Sequence, residues 1–266
     1  IFGVDINPNS VKICRLRLWI ELLKNAYFKN TIELETLPNI DINIKCGNSL
    51  VSRFAIDADL KRALKKSKWT IDSYRIAVDT YRNAENKDQK REMEQLIATI
   101  KSDFRSEVSS NDPKVKNLSK LKGELTNLAT QTSLFEMSKK EKAVWNKRVE
   151  TLTKESKKLE AEIEEIKANK IFENAFEWRF EFPEVLNDDG DFVGFDVVIG
   201  NPPYGATFDE REKIYIKQNF KSYKFKFDSY VYFIEQGLTL LKPNGILEYI
   251  TPILWLSLDN CFPIRN

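Results

Sequence analysis

The chain has 266 residues, with 42 basic and 40 acidic side chains and no histidine. The missing histidine excludes Ser-His-Asp hydrolysis, Cys-His proteolysis and metal sites built on imidazole. The near balance of charge neither demands nor excludes a polyanionic partner. Cys14, Cys46 and Cys261 lie far apart, which predicts buried thiols in a reducing compartment and no metal site. Since the chain shows no signal peptide and no bilayer-spanning apolar run, we expect a cytoplasmic protein without membrane association.

The charges are distributed unevenly along the chain. Residues 61–170 hold 26 basic and 18 acidic side chains but one glycine and one proline, leaving 16 basic and 22 acidic side chains elsewhere. Such a composition is typical of long, surface-rich helices. Apolar residues from Trp145 to Ile166 step by three and four, as in a heptad seam. We predict a coiled-coil-like, antiparallel helical insertion, which is either a solvated arm or a surface for a nucleic-acid backbone.

Two strands and one helix are predicted in the first 50 residues. Residues 1–4 are a short apolar run that ends at Asp5, and Asn7-Pro8 then supplies an N-cap and a first-turn proline for a helix. Apolar side chains cover a wide arc of this helix up to residue 27, so we expect it to be largely buried. Isoleucines alternate with polar residues over 40–46, which predicts a strand with one wet face.

The end of the chain continues the alternation of strands and helices. Residues 195–199 are apolar on both faces towards their end, as expected of a central parallel strand. A helix is predicted over 228–241, ended by Lys-Pro-Asn-Gly at 242–245, and a strand over 246–250. This order predicts an α/β fold with a doubly wound, mainly parallel, Rossmann-like sheet.

The segment after the strand at 195–199 carries the chemistry. Asn201-Pro202-Pro203-Tyr204 places a side-chain amide and an aromatic ring on a stiff backbone whose prolines leave carbonyls as acceptors. An amide oxygen and a backbone carbonyl together accept both hydrogens of an exocyclic amine, and the tyrosine ring stacks on the heterocycle. These groups suit a planar aminated base lifted out of a duplex. Attack of that amine on an electrophilic methyl group needs no enzyme nucleophile.

These residues resemble a known family. Residues 195–204 are similar to motif IV of the class I methyltransferases that act on adenine N6 in DNA. Four further stretches are similar to parts of type IIG restriction-modification and phage-exclusion methylases: residues 3–19 (motif II), 178–185 (the hairpin before motif IV), 227–245 (motif V) and 249–256 (motif VI). The resemblance covers residues 1–50 and 171–258 and implies a methyltransferase fold.

The resemblance also implies a cofactor, a substrate and site residues. The cofactor is S-adenosylmethionine, and the substrate is double-stranded DNA with a flipped adenine. Asp5 holds the ribose hydroxyls, whereas Asn48, at a position that is usually aspartate, reads the cofactor's adenine amine without charge. The remaining implied roles are these: Ile6, Ser49 and Asn201 contact the cofactor, and Asn201, Pro202, Pro203 and Tyr204 form the catalytic segment.

Parts of the family's pattern are not found in this sequence. No glycine-rich turn of the motif I kind is present, and we expect its strand, between the strands ending at Asp5 and Ile199, in a missing remainder of the polypeptide together with a target-recognition domain. Residues 1–55 and 171–266 are predicted to form the methyltransferase core, and 56–170 the helical insertion. We therefore expect this chain alone to be inactive.

Several functions remain open from the sequence. The leading prediction is a segment of a site-specific adenine DNA methyltransferase in restriction-modification or phage defence. Another enzyme of the same chemistry would methylate a different planar amine: cytosine N4, an RNA base or a protein glutamine. A third interpretation is an inactive remnant whose helical insertion serves as an interaction module.

Overall fold

The structure is a computed structural model that describes residues 1–25, 37–56, 64–110, 112–132, 139–168, 170–223 and 228–253. It is a mixed α/β fold, mostly helical, with small parallel sheets. The four strands are β1 (Gly3–Asp5), β2 (Ile44–Cys46), β3 (Phe195–Gly200) and β4 (Leu241–Tyr249). The helices are α1 (Pro8–Lys24), α2 (Ile71–Arg82), α3 (Lys87–Ser110), α4 (Pro113–Thr132), α5 (Lys139–Ala168), α6 (Trp178–Glu181), α7 (Glu210–Asn219) and α8 (Tyr230–Leu240). None of the described helices is both long and apolar enough to cross a bilayer.

Helix α1 begins as predicted but is less buried than predicted. Asn7 Oδ1 accepts the Asn9 N–H at 2.9 Å, and Pro8 occupies the first turn. Arg15 Nε donates to the Ile44 carbonyl at 2.9 Å, which fastens the helix to β2. Val11 is its buried residue, whereas Leu16 on the same helix is 60% exposed. The prediction of a largely buried helix is wrong for the described residues, because only the side facing β1 and β2 is covered; residue 27 lies outside them.

The strand predicted over 40–46 is shorter in the structure. Residues 40–42 form a 3₁₀ turn, and β2 covers the last three positions, where it pairs in parallel with β1. Side chains from α2 and α3 hold the turn: Asp41 Oδ2 accepts the Tyr81 hydroxyl at 2.8 Å and Lys90 Nζ at 3.0 Å. These contacts, together with the Asn43 N–H to Ile40 carbonyl bond at 3.0 Å, replace ladder hydrogen bonds.

Strands β3 and β4 form a second parallel pair, separate from the first among the described residues. Val197 is 52% exposed and Ile199 is 72% exposed, so β3 is not buried on both faces among the described residues, and its central place in a larger sheet stays a prediction. β3 pairs with β4 along one edge, and no described strand pairs with its other edge. β4 also begins earlier than predicted, at Leu241, and accommodates the Pro-Asn-Gly segment through a register shift and a positive φ of 66° at Asn244.

The charged middle of the chain is helical, and its two halves pack differently. Helices α2 and α3 form the largest buried cluster together with Phe180 and Leu186, so they are built into the same core as residues near β3. Helices α4 and α5 run antiparallel, as the Lys114–Glu162 ion pair at 3.1 Å and the bond from Trp145 Nε1 to the Leu128 carbonyl at 3.3 Å show. The boundaries of the proposed insertion, and its coiled-coil character, stay predictions.

Two smaller predictions are corrected. Residues 178–185 are not a hairpin but the short helix α6 and a 3₁₀ turn, and the chain reverses instead between Leu186 and Phe192, which form an antiparallel bridge. Aromatic packing explains the compact turn, because the rings of Trp178 and Phe182 lie 6.3 Å apart. Cys14 and Cys46 are exposed rather than buried, and Cys261 lies outside the described residues.

A buried cluster of charges joins β2, α3 and α6. Glu181 accepts from Lys45 Nζ at 2.9 Å, Lys101 Nζ at 2.6 Å and Arg105 Nη2 at 3.1 Å. Burial lowers the pKa of Lys45 from 10.5 to about 8, because desolvation outweighs the attraction of Glu181. The cations in turn hold the pKa of Glu181 below its usual value, although burial alone would raise it. Three cations therefore depend on one carboxylate for charge compensation.

This cluster predicts a rise in stability at alkaline pH. Since Lys45 has a pKa of about 8 in the folded chain and 10.5 unfolded, the unfolded chain binds more protons between those values, and the free energy of unfolding increases with pH there. The expected gain from Lys45 between roughly pH 8 and 9.5 is about 1.5 kcal/mol, and a variant without this lysine separates it from the titration of cysteine and tyrosine. Urea unfolding followed by tryptophan fluorescence should show this slope in the wild type and lose it in Lys45→Met. An equal slope in both proteins would contradict the assignment.

Candidate functional site

The first group of predicted site residues lies at the carboxyl ends of β1 and β2. The Gly47 N–H donates to the Asp5 carbonyl at 3.0 Å, which sets the two strand ends side by side. Asp5 Oδ1 accepts the Asn7 N–H at 2.7 Å, and its second oxygen has no partner among the described residues. The neighbouring Ile6 side chain is 62% exposed. One free carboxylate oxygen beside an exposed apolar surface is suited to a ligand that carries hydroxyls and a flat heterocycle.

Asn48 and Ser49 are held in place by the segment before α6. The Asn48 N–H donates to the Asn174 carbonyl at 2.6 Å, and its carbonyl accepts the Phe176 N–H at 3.2 Å. Asn48 Oδ1 accepts the Leu50 N–H at 3.1 Å, so the amide oxygen closes a local turn and retains one lone pair for a ligand. The Ser49 carbonyl accepts Trp178 Nε1 at 3.1 Å. The backbone here is rigid, while the predicted role of Asn48 stays a prediction.

The second group follows β3. Pro202 is buried, whereas Asn201 and Tyr204 are exposed, Tyr204 to 48%. The Tyr204 hydroxyl donates to the carbonyl of Ile250, which follows β4, at 2.5 Å, and Asn201 Oδ1 lies 3.5 Å from the same hydroxyl. Because the single hydroxyl hydrogen is committed to Ile250, the Asn201 oxygen is left as an open acceptor. The Tyr204 ring meets Tyr230 edge to face, with centroids 6.0 Å apart and planes at 84°.

The loop after Pro203 is fastened to the start of α8. The Ser229 hydroxyl donates to the Pro203 carbonyl at 2.6 Å and accepts the Ala206 N–H at 3.2 Å. Asp228 Oδ1 accepts the Gly205 N–H at 2.6 Å. Sequence reasoning assigned no role to Asp228 or Ser229 beyond the resemblance to motif V. The available signal, a serine just before a helix, is typical of an N-cap, but here its side chain does not cap the helix.

Packed aromatic rings connect the residues near β1 with those at the start of β3, but the structure does not bring the functional atoms of the two site groups together. Phe2, next to β1, and Phe195, the first residue of β3, lie 5.9 Å apart between ring centroids, and Phe182 packs against both. No described contact joins Asp5 to Asn201. Within the described part of the chain, no group of three or more His, Cys, Asp or Glu residues is placed to hold a metal ion.

One family of known proteins matches the whole chain. Residues 1–266 match the family described as Eco57I restriction-modification methylase. A putative type II restriction enzyme and methyltransferase of Methanocaldococcus jannaschii is 29% identical over 278 residues, which are 95% of this chain and 22% of that protein.

Two further relatives match shorter stretches. The type II restriction enzyme and methyltransferase Eco57I of Escherichia coli is 40% identical over 70 residues, which are 24% of this chain and 7% of that protein. A type II methyltransferase of Thermus thermophilus is 32% identical over 81 residues, which are 27% of this chain and 19% of that protein. No solved structure matches the chain significantly. The matched residues span no more than about a fifth of the length of these relatives. Because the family model matches residues 1–266, the chain belongs to the Eco57I restriction-modification methylase family.

Proposed function

We propose that this chain is part of the catalytic domain of a site-specific DNA methyltransferase that transfers a methyl group to adenine N6 in a restriction-modification system. The observation that carries the proposal is the exposed Asn201 amide beside the half-exposed Tyr204 ring at the carboxyl end of β3. In α/β sheets, ligands bind beyond this end of the strands. Membership of the methylase family and the restriction-methyltransferase relatives support the same reaction class.

The residues of this loop suit activation of an aromatic amine. The N6 lone pair of adenine is delocalised into the ring, so the amine is a poor nucleophile. In the proposed complex, Asn201 Oδ1 and the Pro202 carbonyl each accept one N–H, which favours a nitrogen whose lone pair points out of the ring plane. The same acceptors stabilise the positive charge that develops as the N–C bond forms. The methylated nitrogen carries a positive charge on an aromatic amine, which makes it strongly acidic, so its proton passes to water.

The residues at the ends of β1 and β2 fit S-adenosylmethionine, which when bound supplies the electrophilic methyl group. Asp5 offers a carboxylate oxygen free of described partners to the ribose hydroxyls, and the exposed side chain of Ile6 offers an apolar surface to the adenine ring. Asn48 and Ser49 lie on the adjoining strand end, braced by residues 174–178. We propose that these four residues, with Asn201, contact the cofactor.

Each of the two strand pairs leaves strand edges that no described strand pairs with. Val197 and Ile199 on β3 are exposed, as is Ile246 opposite Val197 on β4. The apolar faces of a parallel sheet are normally covered by helices, and its open edges are normally paired with a further strand. We propose that a remainder of the polypeptide outside this chain supplies the motif I strand between β1 and β3, so that one doubly wound sheet forms and the cofactor and base sites face each other.

The function is tested with the full-length gene product that contains this chain. Tritiated methyl transfer should be measured on unmethylated duplex DNA, on RNA and on a glutamine-containing release-factor substrate, followed by identification of the modified base. We expect N6-methyladenine in DNA. Methylcytosine, methylated RNA or methylated glutamine would replace the proposed substrate, and no methylation of any of them would favour an interaction module.

The interaction-module alternative needs a separate deletion. Because α2 and α3 share the main core with Phe180, removing residues 61–170 would unfold the protein. Replacing only residues 112–169 by a flexible linker removes no residue of that core, and the Lys114–Glu162 pair places the start of α4 beside the last third of α5. Loss of biological effect with methylation preserved would identify α4 and α5 as an interaction module.

Substitutions of Tyr204 should separate base stacking from loop anchoring. Tyr204→Phe keeps the ring but loses the bond to the Ile250 carbonyl, and we expect about a 10-fold slower single-turnover methylation. Tyr204→Ala also removes the stacking surface, so a loss of about 100-fold or more is expected. Equal losses in the two variants would mean that the ring does not stack on the base.

A further inference from the structure

Asp228 and Ser229, just before α8, bind the residues on both sides of Tyr204 through side-chain hydrogen bonds, a set of contacts that we call the brace. Ser229 is 1% exposed, and its hydroxyl both donates to the Pro203 carbonyl and accepts the Ala206 N–H. Asp228 adds the bond from the Gly205 N–H at 2.6 Å. Three hydrogen bonds between these two adjacent side chains and the loop thus fix the chain on both sides of Tyr204.

The brace also distinguishes the two proline carbonyls. The Pro203 carbonyl is occupied by Ser229, whereas no donor among the described residues reaches the Pro202 carbonyl. The Ser229 hydroxyl donates to this carbonyl at 2.6 Å and lies farther, at 3.2 Å, from its second possible acceptor, Asp228 Oδ1, so the Pro203 carbonyl already holds a close donor. The acceptors of the loop that keep both lone pairs for a ligand are therefore the Pro202 carbonyl and Asn201 Oδ1.

We propose that Asp228 and Ser229 are positioning residues: they hold the Asn201–Tyr204 loop in its reactive shape and reserve the Pro202 carbonyl for the target amine. The proposal rests on the proposed function for its catalytic consequence. Their geometry explains why a serine at the start of α8 leaves the helix uncapped, since its hydroxyl is used across the loop instead. Gly205, whose N–H is the donor to Asp228, has a positive φ of 63°, a conformation that glycine adopts without strain.

The test uses paired substitutions in the full-length protein. Ser229→Ala removes both hydroxyl bonds to the loop and the contact with Asp228 at 3.2 Å. Ser222→Ala is the matched control, because Ser222 is also fully buried but its hydroxyl has no partner among the described residues. Asp228→Ala removes the acceptor for Gly205, whereas Asp228→Asn keeps an oxygen there. A displaced reacting group typically costs on the order of 100-fold in rate. We expect kcat for methyl transfer to fall about 10- to 100-fold in Ser229→Ala and Asp228→Ala, with KM for DNA within about twofold of wild type. Asp228→Asn should recover most of the rate.

A second readout does not depend on activity. Hydrogen–deuterium exchange of the Gly205 and Ala206 amides should accelerate at least about 10-fold in Ser229→Ala and Asp228→Ala but not in Ser222→Ala, because these amides are the donors in the brace. If the wild type lacks adenine methylation but exchange changes as expected, the proposed function fails and the brace stands. Unchanged exchange, or a kcat in Ser229→Ala equal to that of Ser222→Ala, would overturn the positioning role. A loss of thermal stability that accounts for the whole rate loss would also overturn it.

Discussion

Replacing Asn201 by alanine should lower kcat for adenine methylation by about 100- to 1000-fold, the usual cost of removing one preorganised hydrogen-bonding group from a transition state. The expectation follows from the position of Asn201 Oδ1, which is exposed and not claimed by the neighbouring tyrosine, because the Tyr204 hydroxyl donates to Ile250. Since the interaction strengthens as charge develops on the amine, the loss should fall on kcat rather than on KM for DNA.

Asn201→Asp is the informative companion variant. A carboxylate oxygen accepts the same N–H bonds, so this variant should lose less activity than alanine. Asn219→Ala, which changes an exposed asparagine at the end of α7, serves as the control and should keep wild-type kcat. Single-turnover transfer of tritiated methyl groups measures all three. Comparable activity of Asn201→Ala and wild type would remove the loop from the catalytic site.

Replacing Glu181 by glutamine should destabilise the region around α3 by about 3 kcal/mol, because removing one partner leaves buried charge uncompensated. Lys45, Lys101 and Arg105 converge on this carboxylate, and Lys45 and Lys101 are only 13% and 16% exposed. The already lowered pKa of Lys45 shows how costly its charge is at this position. We therefore expect deprotonation of Lys45 at a still lower pH in the variant.

The opening free energy of α3 in the intact protein gives the measurement. Hydrogen exchange of α3 peptides at increasing urea concentrations reports the stability of this region separately from the rest of the protein. Asp188→Ala provides the control: Asp188 also bonds an arginine, Arg75, at 2.6 Å, but its side chain is 83% exposed, so the expected change is below about 1 kcal/mol. Similar losses of opening free energy in the two variants would show that the buried Glu181 cluster stabilises α3 no more than an exposed ion pair does.

Local patterns determined much of the fold because they depend on neighbours in the chain. Asn7-Pro8 predicted the start of α1, since a side-chain cap and a fixed φ act within one turn. The apolar runs at 1–4, 195–199 and 246–250 predicted strands for the same reason, and the Asn-Pro-Pro-Tyr segment predicted the chemistry of the loop after β3. The family of the chain followed from these motifs in their order and is confirmed by the match over residues 1–266.

Only the tertiary structure shows which side chains are buried and which residues they contact. The apolar arc of α1 and the apolar faces of β3 predicted burial, yet Leu16 and Ile199 are exposed because a hydrophobic pattern records what a residue can pack against, not whether the covering element is present. The charged middle was predicted as a helical insertion, either a solvated arm or a surface for a nucleic-acid backbone, and the pattern gave no sign that contacts distant in sequence build α2 and α3 into the core through Phe180 and the Glu181 cluster. The roles of Asp228 and Ser229 likewise depend on a loop more than twenty residues away. The sequence by itself determined the motif, the elements and the family, whereas the tertiary structure alone decided which side chains share an environment, since hydrogen bonds and buried charges form between residues that no local pattern relates.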